Sequence, residues 1–308
     1  MIEVMKPGVN TTIQDLGRYG YQASGIVVGG AMDKQSYELG NIILQQQNAP
    51  AFEFVMNGPT LKFHQPAVIT ITGAAFQPTI DEQAIPMWRP IQVLAGSTLA
   101  IGSAKHGMYG YLFVKGVNIP QTLGSTSTYE KAGLGKRLQK GDTFNFISSF
   151  TKKVSWSLKP LSLAKQVTIQ VMKGTEYHLF TEASLKQFFN TPYIVTTEAN
   201  RMGYRLQGVP LQQKVQQELL SSAVTYGTIQ VPPNGQPIVL MADRQTTGGY
   251  AKIAQVLSTD LSKLAQCAPG TSVIFKLVSL EEAQASLIRE HRAYQLLKKI
   301  IHFYIEGI

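Results

Sequence analysis

The sequence predicts a mainly β protein with a few helices, built as two linked lobes, and three observations carry that expectation. Short apolar runs rich in valine, isoleucine and aromatic residues recur between glycine, proline and asparagine, the rhythm of sheets and barrels rather than of repeated strand–helix units. Helical periodicity is confined to a handful of segments. The length, 308 residues, exceeds the roughly 100–200 residues of one ordinary domain.

In chain order, the apolar runs place strands at 66–72, 91–93, 110–114, 155–158, 167–171, 227–231, 238–241 and 272–277. Helices are expected at 33–44, opened by Asp33 as N-cap, at 181–189, opened by Thr181, and at 260–266, ended by Ala268-Pro269-Gly270. A long amphipathic helix starts at Ser279, which stands three residues before Glu282 in a capping-box pattern. The polar stretch 148–165 is where the lobes divide, giving 1–150 as an N-terminal β lobe and 151–308 as a barrel-like lobe with the C-terminal helix.

Composition removes several function classes. With 44% hydrophobic and 15% charged residues the chain can bury a sizeable core without oily excess. A single cysteine, Cys267, excludes an intramolecular disulfide and a multi-cysteine zinc cage. The five histidines are scattered with no HExxH spacing, so no metal centre is expected. No apolar run reaches the ~18 residues of a membrane span, and the N-terminus lacks an export pattern, so a cytoplasmic protein is expected. The net charge of +9 is uneven, 11 basic against 9 acidic residues in 1–150 and 17 against 10 in 151–308. Because the lysines are dispersed rather than clustered, nucleic-acid binding is not expected.

Three polar, glycine-punctuated stretches combine backbone freedom with side chains that hydrogen-bond or carry charge. The first runs from Thr11 through Asp15, Gly17 and Arg18 to Gly29-Gly30-Ala31-Met32-Asp33. Asp15 and Arg18 either contact a polar ligand or simply close a well-made turn as a pair. The second, Gly124 to Asp142, sets the hydroxyls of Ser125 and Ser127 beside Lys136 and Arg137, groups suited to a phosphate or carboxylate, although the spacing is not that of a Walker loop. The third joins Arg201, Tyr204 and Arg205 to Gln230 and to the run Asp243-Arg244-Gln245-Thr246-Thr247-Gly248-Gly249-Tyr250-Ala251-Lys252. The strand at 238–241 delivers that run to a sheet edge, where loops carry binding groups. Arginines and Lys252 supply positive charge, Asp243 a carboxylate for orientation or proton transfer, and Gln230 and Gln245 amides for a urea-like or lactam substrate. Asp243 and Arg244 are therefore the catalytic candidates. The substrate-binding candidates are Asp15, Arg18, Asp33, Ser125, Ser127, Arg201, Tyr204, Arg205, Gln230, Gln245, Thr246, Gly248, Gly249, Tyr250 and Lys252. A network that merely ties strands together has the same composition.

At these residues the sequence resembles the family variously called 5-oxoprolinase C subunit, allophanate hydrolase subunit 2 or KipA, which is related to the carboxyltransferase region of urea carboxylase. TTIQDLGRYGY, GAMD, GSTSTYEKAGLGKRLQKGD, NRMGYRL, YGTIQVPPNGQPIVLMADRQTTGGY and AQCAPG occur in the family's order, over about residues 1–277. The resemblance implies two lobes of cyclophilin-like β-barrel type. It implies a subunit-B and a subunit-A partner, with which the complex cleaves 5-oxoproline to glutamate at the expense of ATP and magnesium; phosphorylating a stable lactam oxygen opens it to water. It also implies two other roles: a regulator that binds and neutralises a KipI-like inhibitor of a histidine kinase, or a biotin-dependent carboxyltransferase component acting on a urea-like substrate. The sequence departs from the family where Gly116 is followed by Val117-Asn118-Ile119-Pro120, and where Ala251 replaces an expected proline. There is no Met-Lys-Met motif, so biotin is not attached to this chain.

Overall fold

A computed structural model describes residues 1–151, 153–154, 156–159, 164, 166–215 and 217–306. The chain forms two compact units that interleave in sequence: Met1–Arg18, Gly29–Ser162 and His291–Ile308 make one, Tyr19–Val28 and Leu163–Glu290 the other. The mainly β class holds, with four α-helices among the described residues. No helix among them is long and apolar enough to cross a membrane.

The first unit is built from two antiparallel sheets. One has seven strands in the order 117–118, 143–146, 2–6, 60–63, 98–100, 79–80, 83–84; the other has five, in the order 11–14, 51–55, 106–114, 67–75, 91–93. Alternation along the strands sends Phe52, Phe54, Phe63, Ile69 and Leu112 from both sheets into one apolar core. On its other face the five-stranded sheet carries a row of polar cross-strand neighbours, Thr12, Glu53, Tyr111 and Thr72, all buried. Buried polar groups need partners: Thr12 accepts from the Gln14 side-chain amide, and Glu53, Tyr111 and Thr72 meet the start of helix α1 (Lys34–Ile43). Glu53 accepts from the Met32 N–H and the Tyr111 hydroxyl, Tyr111 in turn accepts from the Asp33 N–H, and Thr72 donates to the Ser36 carbonyl.

The second unit is a closed barrel of seven strands: 166–173, 251–256, 228–231, 238–240, 203–207, 193–195 and 272–277, the last pairing in parallel with the first. Closure leaves no exposed edge in the ring. Helix α2 (Glu182–Asn190) covers one side, stacking Phe188 on Phe275 with ring centroids 4.7 Å apart. Helix α3 (Ser258–Ala265) is tied by Asp260, which accepts from the Gln170 N–H at 2.7 Å. Helix α4 (Leu280–Glu306) opens with the expected capping box, Ser279 N–H to Glu282 at 2.8 Å and Glu282 N–H to the Ser279 hydroxyl at 3.2 Å.

All four expected helices are present within a residue or two, and Asp33 and Thr181 cap α1 and α2 as anticipated. One strand is corrected. Ser155, the first residue of the run at 155–158, lies outside the described residues, and 156–158 form no strand; Leu158 merely donates its N–H to the Trp88 carbonyl at 2.9 Å. Much of the presumed divide at 148–165 is likewise outside the described residues. Strands at 2–6, 11–14, 51–55, 203–207 and 251–256 go beyond the sequence expectation.

Strand 67–75 bulges against 106–114, where the register shifts between His106 and Gly110. Gly73 sits there with φ +98°, and a Cβ would meet the Tyr109 carbonyl oxygen at 2.3 Å. Gly73→Ala is expected to cost about 2–4 kcal/mol, from left-handed strain and overpacking together, read as a lower urea midpoint.

Candidate functional site

In the barrel, strands 203–207 and 238–240 pair antiparallel with Gly203 opposite Leu240, so Arg201 and Asp243 leave the sheet at the same end. Main-chain bonds extend the pairing, Met241 N–H to Met202 O at 3.0 Å and Asp243 N–H to Arg201 O at 2.8 Å. The side chains then close a two-pronged ion pair, Arg201 Nε to Asp243 Oδ2 and Nη2 to Oδ1, each 2.8 Å. Both are largely buried, 14% and 11% exposed, where such charge-assisted forks are strongest.

Arg244 follows at once and is held differently. Its Nη1 makes only long contacts, 3.5 and 3.4 Å, to the Met241 and Ala242 carbonyls. Its Nε is buried with no hydrogen-bond partner among the described residues, and its guanidinium lies 6.0 Å from the Tyr226 ring centroid. Burial lowers the Arg244 pKa, opposed by Tyr19, Tyr226 and Asp243. No salt bridge satisfies it among the described residues.

The remainder of the run turns over buried polar groups. Gln230, inside strand 228–231, reaches the Tyr250 carbonyl at 3.4 Å and lies so close to Gly248 that a Cβ there would stand 2.5 Å from its amide nitrogen. Lys252 donates to the Ser222 hydroxyl and pairs with Glu176 at 3.4 Å. Gly249, Tyr250 and Ala251 line a cavity of about 290 Å³. Gln245 is exposed, and Thr246 accepts from the Val224 N–H through its carbonyl. Two candidates lie elsewhere. Tyr204 points inward and donates to the Ala265 carbonyl at 2.8 Å; Arg205, one residue on and so on the opposite face, is exposed and paired with Glu198 at 2.9 Å. Glu176 and Ser222 belong to the Lys252 cluster but gave no sequence signal, since sheet pairing alone brings them there.

The first unit holds a second polar centre. Asp15 collects five donors: Gly17 N–H at 2.7 Å, Ser125 Oγ at 2.6 Å and Ser127 Oγ at 2.5 Å on one oxygen, Thr126 N–H at 2.7 Å and Oγ1 at 3.2 Å on the other. A tight reversal at Thr122–Ser125, with Leu123 at φ 53°, delivers these hydroxyls. Arg18, 2% exposed, donates to the Ser127 carbonyl at 2.6 Å. Arg18, Ser125, Ser127 and Lys136 line a cavity of about 480 Å³. Asp33 spends both oxygens on Ser36 as the N-cap of α1. Among the described residues no group of three or more His, Cys, Asp or Glu stands where one metal ion could be held.

In one chain, then, a two-sheet unit is joined to a closed barrel that carries an arginine–aspartate fork beside a glycine-rich turn. Residues 24–277 match the family described as carboxyltransferase domain, subdomain A and B, and the chain belongs to that family. It is 40% identical to the C subunit of 5-oxoprolinase from Haemophilus influenzae, covering 96% of each chain, and 36% identical to the same subunit from Escherichia coli, covering 98% and 99%. The crystal structure of K. lactis urea amidolyase matches 96% of this chain at a TM-score of 0.89 and 28% identity, although this chain spans only 20% of that one.

Burial raises the Asp15 pKa, but the bonds from Ser125, Ser127, Thr126 and Gly17 outweigh it and hold the carboxyl below its ordinary value. A depressed folded-state pKa stabilises above the unfolded-state value, and that stability is lost as pH falls through the folded one. Asp15→Asn should therefore cost about 2–3 kcal/mol at neutral pH and flatten the acid limb of a urea-midpoint titration below about pH 4.

Proposed function

We propose that this chain is the C subunit of a cytoplasmic, ATP-dependent 5-oxoprolinase, acting with subunit-A and subunit-B partners to convert 5-oxo-L-proline, ATP and water to L-glutamate, ADP and phosphate. The near full-length likeness to two proteins named as the C subunit of 5-oxoprolinase supports the role. The geometric observation that carries it is the division of labour at 201, 243 and 244. Asp243 is engaged on both oxygens by Arg201, which leaves Arg244 a half-buried cation with no carboxylate of its own among the described residues. The substrate carries a carboxylate, and a guanidinium fork matches it in charge and shape. Arg244 then binds the substrate, Arg201 and Asp243 fix its loop, and the buried amide of Gln230 sets the following turn.

The ATP, with its magnesium, belongs to the proposed complex as a whole. A second reading is favoured by the fold match to urea amidolyase: carboxyl transfer to a urea-like substrate, with biotin carried by another protein. Recovery of a biotinylated protein in the complex would favour it.

Glutamate and ADP release from 5-oxoproline and ATP should require this chain in the reconstituted three-protein mixture; full turnover without it would refute the proposal. Arg244→Ala, with fold and assembly intact, is expected to lower kcat/KM by about 10- to 100-fold, with Arg244→Lys in between. Unchanged turnover would remove Arg244 from the site.

A further inference from the structure

Arg244 makes no salt bridge among the described residues, and what stands beside its guanidinium is an aromatic ring. The Tyr226 ring centroid lies 6.0 Å from the guanidinium carbon, at the outer reach of a cation–π contact. Tyr226 is 9% exposed, so the contact is largely shielded from solvent, where such attraction is stronger. The kind of neighbour matters. A carboxylate in that place would pair with Arg244 and compete with an anionic ligand, whereas the negative face of a ring attracts the guanidinium and leaves its charge in place.

The ring is set by its own turn. In residues 225–228 the Thr228 N–H donates to the Thr225 carbonyl at 3.1 Å, and Gly227, at φ +88°, has no space for a Cβ, which would stand 2.8 Å from Leu261. Gln255, on the neighbouring strand 251–256, clasps this turn with its whole amide. Its Oε1 accepts from Thr225 Oγ1 at 3.0 Å and from Thr228 Oγ1 at 2.9 Å; its Nε2 donates to the Tyr226 carbonyl at 2.8 Å and to the Val256 carbonyl at 3.2 Å. Two donations and two acceptances fill the capacity of an amide. The Gly227 N–H then ties the turn to the Leu240 carbonyl at 2.8 Å, four residues before Arg244. Tyr226 and Arg244 thus leave from two backbone segments that are bonded to each other.

We propose that Tyr226 is a positioning residue for Arg244, its ring flanking the guanidinium so that an unneutralised charge meets the substrate's carboxylate, and that Gln255 is the clasp which fixes the ring. The proposal rests on the 5-oxoprolinase reading for the identity of the anion, and on the barrel's geometry alone for the contact between ring and guanidinium.

Two measurements test it. In the reconstituted three-protein mixture, Tyr226→Leu should raise the KM for 5-oxoproline about three- to tenfold while kcat changes less than about twofold. Tyr226→Phe, which keeps the ring, should recover most of that loss, and Gln255→Leu should reproduce part of it. In an Arg244→Ala background Tyr226→Leu should have no further effect, because the ring acts only through the guanidinium. A merely structural role would make the two effects multiply. The second measurement uses the isolated full-length chain and follows the Arg244 Nε–H resonance, assigned by its loss in Arg244→Lys. That resonance should move in Tyr226→Leu and in Gln255→Leu, and by less in Tyr226→Phe. Where leucine at 226 does not fold, Gln255→Leu carries both measurements. Multiplying effects in the double variant, or an Arg244 resonance indifferent to residues 226 and 255, overturns the assignment. A resonance that responds in a chain whose complex shows no turnover sinks the functional reading alone; a working complex that needs Arg244 and ignores Tyr226→Leu sinks the Tyr226 assignment alone.

Discussion

The fork between Arg201 and Asp243 is the interaction on which the barrel's polar loop depends. Two antiparallel strands bring the residues to one end, two main-chain bonds continue the ladder past the strand ends, and the side chains close it. Charges so largely buried persist only when each is fully answered; removing one partner of such a pair typically costs about 3–5 kcal/mol, because the other is left buried and uncompensated. The consequence reaches one residue further. With both oxygens of Asp243 engaged by Arg201, the neighbouring guanidinium of Arg244 makes no salt bridge among the described residues, and it is the cation that the proposed substrate anion would meet.

Asp15 plays the corresponding part in the two-sheet unit with opposite means. No lysine is recruited to its carboxylate; two serine hydroxyls, a threonine hydroxyl and two peptide N–H groups answer it instead. Neutral donors of this kind hold an anion without adding a counter-charge, so one carboxylate orders the 125–127 segment and the 15–17 turn together. Glu53 repeats the scheme beneath α1, with the Met32 N–H and the Tyr111 hydroxyl as donors. Burial pushes the Tyr111 phenol up, with Glu53 and Asp33 adding to the effect, and so keeps it a neutral donor.

The helices were legible because their signals are local. Asp33, Thr181 and the Ser279–Glu282 pair each announce a helix start within four residues of chain, and each does what it announces. Strands 11–14 and 203–207 were not legible as strands, and the reason is the same in both. Thr12 and Gln14 look like loop residues until Glu53, across the ladder, shows that this face is polar and buried; Arg205 looks like a partner for Arg201 until strand alternation turns it outward to Glu198.

Gly248 shows how the barrel's interior sets the shape of its outer loop. The space a side chain would take there is already filled by the amide of Gln230, which belongs to a barrel strand and reaches on to the Tyr250 carbonyl. Any larger residue at 248 would have to displace a buried amide, and with it the hydrogen bond that positions the turn bearing Gly249 and Tyr250. That turn is at once the wall of the smaller cavity and the continuation of the loop that begins with the Arg201–Asp243 fork. A loop pinned at its start by an ion pair and near its end by a buried amide has little freedom left between. This is how a glycine-rich segment, flexible by composition, is held to one conformation.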